Sequence, residues 1–137
     1  FWVLFVLRFF DAISTQLIQA GFPSPADDYT DSSFDIAKFL INHPAATFFV
    51  KVQGDSMRDA GIFSGDLLVV DRAKKVKNGN VVVAFVDGEF TVKRFLKKLD
   101  QIILHPENEK FNDIDVSQYS DFQIWGVVSF VIHNPNV

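Results

Sequence analysis

Residues 80–96 read NVVVAFVDGEFTVKRFL, two runs of β-branched and aromatic residues separated by Asp87-Gly88. A two-residue Asp-Gly connection suits a type I′ turn, in which both central residues take positive φ, so this stretch predicts a β-hairpin. Period two places Thr91, Lys93 and Phe95 on one face of its second strand and Phe90, Val92 and Arg94 on the other. Outward from the hairpin, residues 46–53, 66–71, 101–104 and 122–133 are rich in the same Val, Ile and Phe. With the hairpin's own 80–86 and 89–96 they make six strand candidates, hence a mostly β domain. The apolar run 124–132 reads as an edge segment able to pair with another chain. One short helix is expected over 34–42, where Ile36, Phe39 and Leu40 form a stripe, Asp31, Ser32 or Ser33 supplies the cap, and His43-Pro44 stops it.

With 137 residues, 48% of them hydrophobic and 16 phenylalanines, the chain can bury one substantial core. Residues 21–33, GFPSPADDYTDSS, hold two prolines and three aspartates with no apolar period, so 1–33 reads as a flexible N-terminal arm and linker and 34–137 as the folded domain. The opening run FWVLFVL is strongly apolar, but Arg8 and Asp11 interrupt it well short of the ~20 residues a membrane helix needs, so no membrane anchor is expected. Its aromatic side chains are expected to dock on the domain or on a sister subunit. A net charge of −4 argues against strong direct nucleic-acid binding, although 51–100 hold 10 of the 13 Lys and Arg residues.

No cysteine is present. Disulfides, thiolate zinc sites and Cys nucleophiles are excluded together, no metal or cofactor is expected, and the chemistry falls to oxygen and nitrogen. The turn Gln53-Gly54-Asp55-Ser56-Met57 follows a strand candidate, so Ser56 can project its hydroxyl from a strand end into a cleft, where Gly54 permits a tight turn. A hydroxyl nucleophile needs a base. His43 and His105 each precede proline, and His133 lies near the terminus, so all three read as ordinary surface or core histidines. Lys93 shares a strand face with Phe95, and partial burial there would lower its pKa toward the range in which a neutral amine accepts a proton. Asp55 reads as a solvent-facing turn residue. On pattern alone Ser56 remains compatible with a plain turn residue and Lys93 with an exposed edge lysine.

Three ordered motifs add to this reading: Ala20-Gly21 before FPSPADDY; FFVKVQGDSMRDAGIFSGDLLVVDRA over 48–73; and DGEFTVKRF over 87–95, followed by WGVV over 125–128. Together they resemble the LexA and UmuD family of self-cleaving serine proteases over residues 19–131. The resemblance implies a coiled, barrel-like β domain, with Ser56 as nucleophile, Lys93 as general base, and a scissile bond between Ala20 and Gly21. The oxyanion donors would be the backbone N–H groups of Ser56 and Met57. The short segment before Gly21 and the FPSPADDY stretch resemble the UmuD branch. That branch implies a cytoplasmic homodimer, triggered to cut itself by a RecA filament on single-stranded DNA, that serves a UmuC-type translesion polymerase. A LexA- or phage-type repressor protease, a non-catalytic polymerase-binding module and a signal-peptidase-like enzyme are the competing readings.

If the scissile strand lies close against the Ser56 turn, a β-branched side chain at Gly21 obstructs it. Gly21→Val is expected to stop self-cleavage while leaving the urea unfolding curve of the domain unchanged; a variant cut at the wild-type rate would place the cut elsewhere.

Overall fold

The computed structural model describes Trp2–Arg8, Ile18–Gln19 and residues 33–136. Its strands are β1 (Trp2–Arg8), β2 (Ile18–Gln19), β3 (Ser33–Phe34), β4 (Thr47–Gln53), β5 (Leu67–Asp71), β6 (Val81–Val86), β7 (Glu89–Lys98), β8 (Gln101–His105), β9 (Ile114–Asp115) and β10 (Phe122–Ile132). The one α-helix among the described residues is α1 (Ile36–Leu40). One antiparallel sheet runs in the order β1-β4-β5-β10-β6-β7-β8-β9. β1 touches β7, although four strands separate them in that order, so the sheet coils on itself as a barrel does.

The β6–β7 hairpin forms as its turn chemistry demands. Val86 pairs with Glu89 across Asp87 and Gly88, whose φ values are 52° and 83°. Period two then sorts the side chains. Val83 and Val92 turn into one core cluster with Val50, Val52, Met57, Ile62, Leu68 and Val70; Val82, Ala84 and Phe95 turn into a second with Leu104, Val116 and Val127. Ala37 and Ile41 pack beneath Phe49 and Val69 in a third.

Several expectations need correction. The stretch 124–132 is not an edge: β10 lies between β5 and β6 and pairs with both, so its backbone is spent inside the sheet. The helix is shorter than 34–42, and its cap is Asp35, whose carboxylate accepts the Lys38 N–H at 3.2 Å, in place of Asp31, Ser32 or Ser33. Residues 2–8, within the arm, pair with β4, with Trp2 opposite Gln53 and Leu7 opposite Phe49. The two-residue strands β2, β3 and β9 are too short to leave a periodic signal.

Gly126 sits where β10 crosses Val70 and Arg72. A Cβ there would stand 2.5 Å from Val70 Cγ1 and 3.3 Å from Arg72 Cγ, and Val70 is fully buried on a stiff β-branched stem. Gly126→Ala is therefore expected to destabilise the fold by about 1–3 kcal/mol through overpacking, read as a lowered urea midpoint at unchanged slope.

Candidate active site

The nucleophile candidate sits in a turn clamped from several sides. After β4, Gly54 takes φ 100°, which glycine adopts without strain, and its N–H is held by Ser64 Oγ at 3.3 Å. Met57 buries its side chain in the core cluster around Val50 and Leu68, while its carbonyl accepts from Ala60 N–H at 3.0 Å and Ile62 N–H at 3.2 Å. Ser56, between the two, is only 1% exposed, so its hydroxyl lies well below the surface position expected of a turn serine. Among the described residues, no acceptor is found for the N–H groups of Asp55, Ser56 or Met57.

Lys93 arrives from the middle of β7, on the face that period two shares with Thr91 and Phe95, and is 4% exposed. Its Nζ lies 3.0 Å from Ser56 Oγ, 2.7 Å from Thr91 Oγ1 and 3.2 Å from the Val92 carbonyl oxygen. Burial strips water from the ammonium and lowers the lysine from its usual 10.5 to about 8. A neutral amine has two hydrogens and one lone pair. When the amine is neutral its lone pair can take the proton of Ser56, 3.0 Å away. The arrangement can thus deprotonate a serine near neutral pH with no histidine involved.

The histidines stand elsewhere. His43 Nδ1 meets Asp71 at 2.7 Å, and His105 and His133 meet Asp113 and Asp66, each at 2.6 Å. Asp55 is exposed, in agreement with its reading as a solvent-facing residue. Ala20 and Gly21 lie outside the described residues. Thr91 is the residue that the sequence left without a role. Its signal was present, since it lies two positions before Lys93 on the same strand face.

Comparison with known proteins follows this geometry. Residues 12–129 match the family model described as Peptidase S24-like. The chain is 48% identical over 119 residues to Protein SamA of Salmonella typhimurium, an overlap of 87% of this chain and 82% of that protein. It is 46% identical over 119 residues to Protein ImpA of Shigella flexneri, covering 84% and 78% of the two chains. Against the LexA repressor of Idiomarina loihiensis it is 45% identical over 118 residues, which is 85% of this chain but 57% of the repressor.

A lysine displaced to about 8 should be visible directly. In an NMR titration the Lys93 side chain is expected to change charge near pH 8, well below the usual 10.5 of a lysine. The sign for stability follows: between about pH 8 and 10.5 the unfolded lysine holds a proton that the folded one has lost, so stability at this residue rises with pH through that window. Thr91→Val, which removes one acceptor for the ammonium, should lower the Lys93 midpoint further. A Lys93 midpoint at the usual 10.5 would contradict the assignment.

Proposed function

The chain belongs to the Peptidase S24-like family, and from that premise we propose that it is a self-cleaving serine endopeptidase working through Ser56 and Lys93. The observation that carries the proposal is the 3.0 Å contact between two buried groups, Lys93 Nζ and Ser56 Oγ. Neutral Lys93 accepts the hydroxyl proton as Ser56 Oγ attacks the carbonyl carbon of Ala20. The oxyanion so formed takes hydrogen bonds from the backbone N–H groups of Ser56 and Met57. Collapse of that intermediate breaks the Ala20–Gly21 bond, with Lys93 handing its proton to the Gly21 amine. Water, deprotonated by the now neutral Lys93, then attacks the acyl carbon and releases it from Ser56 Oγ, which takes the proton back from Lys93.

The family match and the relatives named SamA, ImpA and LexA support a role in SOS mutagenesis of the UmuD kind. In this reading a RecA filament on single-stranded DNA promotes the cut in the cytoplasm. The product, a homodimer, then serves a UmuC-type translesion polymerase. The acidic balance of the chain fits a subunit that leaves DNA contact to its partner. The 45% identity to a LexA repressor keeps a repressor-type protease as the second reading.

Incubation of the purified chain with and without RecA filaments, followed by mass measurement and N-terminal sequencing, tests the proposal. The product is expected to begin Gly21-Phe22-Pro23. Ser56→Ala should slow its appearance by at least about 10³-fold, and Lys93→Arg by a similar factor, because guanidinium stays protonated and cannot act as a base. A Ser56→Ala chain that is still cut at Ala20-Gly21 in protease-free preparations would reject the dyad.

A further inference from the structure

The peptide unit joining Asp55 to Ser56 is held from far away in the sequence. Its carbonyl oxygen accepts from Asn108 Nδ2 at 2.9 Å, across 53 residues, and from the Arg58 N–H at 3.2 Å. Asn108 lies in the loop between β8 and β9 and is 3% exposed. Two more of its polar groups are engaged: Oδ1 accepts the Lys110 N–H at 3.0 Å, and its carbonyl accepts the Phe111 N–H at 3.0 Å.

The loop that carries Asn108 is itself fastened to both halves of the site. The Glu107 carbonyl accepts the Asp59 N–H at 2.8 Å, which ties the loop to the turn after Ser56. The Glu107 carboxylate takes Arg94 Nε at 2.6 Å, and Arg94 is the residue next to Lys93 on β7. Arg94 Nη1 also donates to the Gly79 carbonyl at 2.7 Å, which fixes the guanidinium in turn.

A trans peptide is planar, with its C=O and N–H pointing in opposite directions. Anchoring the Asp55 oxygen therefore sets the direction of the Ser56 N–H, which has no acceptor among the described residues. A hydrogen bond to the carbonyl also draws charge through the amide and makes that N–H a stronger donor. We propose that Asn108 is a positioning residue that aims and polarises the Ser56 N–H toward the oxyanion of the cleaved bond, an inference that rests on the reading of Ser56 as the nucleophile. It acts through the peptide and touches no reacting atom.

The test compares self-cleavage across pH for the wild-type chain, Asn108→Ala and Asn108→Leu. The leucine keeps much of the volume without adding charge, so the result does not depend on the alanine variant folding. Both are expected to lower the maximal rate about 10- to 100-fold, less than or equal to the loss of a direct oxyanion donor. The pH midpoint, set by Lys93, is expected to stay in place. A spectroscopic readout that needs no cleavage accompanies it: the ¹⁵N resonance of the Ser56 amide should move upfield in both variants as the Asp55 carbonyl loses one of its two donors. Wild-type maximal rates in both variants, an unmoved Ser56 resonance, or a fall in rate accompanied by a displaced pH midpoint would each overturn the inference. An uncut wild-type chain, or one cut without Ser56, refutes the protease reading and the inference with it; a normally cut wild type beside unaffected Asn108 variants refutes the inference alone.

Discussion

Holding an amine in the interior without water is the constraint around which this fold is arranged. Lowering Lys93 from 10.5 to about 8 corresponds to about 3 kcal/mol against its charged form. A mobile lysine would escape that cost by reaching for solvent. Lys93 does not, because it springs from the centre of β7, which is paired on one side with β6 and on the other with β8. Two of the acceptors around the amine, Thr91 Oγ1 and the Val92 carbonyl, belong to the same strand and move with it. A single backbone element thus both buries the amine and orients it.

The remainder of the sheet holds Ser56 against that amine. β4 and β7 are distant in strand order, and only the coiling of the sheet brings the end of β4 within reach of β7. That coiling depends on close passage through the middle, where β10 runs between β5 and β6 with irregular register on both sides and Gly126 lies almost against Val70. Met57 contributes from the other direction. Its side chain is packed into the core around Leu68 and Val70, so the residue beside Ser56 is anchored as firmly as a strand residue. Ser56 is left on a rigid platform 3.0 Å from the amine.

Much of this arrangement was legible along the chain. The Asp87-Gly88 turn defined the β6–β7 hairpin, and period two then placed Thr91 and Lys93 on one face beside Phe95. Gly54 before Asp55-Ser56 marked a turn at a strand end. These are local features, set by the φ values available to particular residues and by side-chain alternation, and they survive without knowledge of any distant contact.

What lay beyond the sequence was everything that depends on which strands become neighbours. The run 124–132 is equally apolar whether it forms an edge or the middle of a sheet, and only pairing with both β5 and β6 decided that it is the middle. The burial of Ser56 came from the coil of the whole sheet, as did the pKa of Lys93, because desolvation is a property of the surroundings rather than of the residue. The hydrogen bond from Asn108 to the Asp55 carbonyl spans 53 residues and leaves no periodic or compositional trace. The sequence by itself determined which residues have the chemistry to react; the tertiary structure decided that they meet, since the distance between a hydroxyl and an amine 37 residues apart is set by the packing of the strands that carry them.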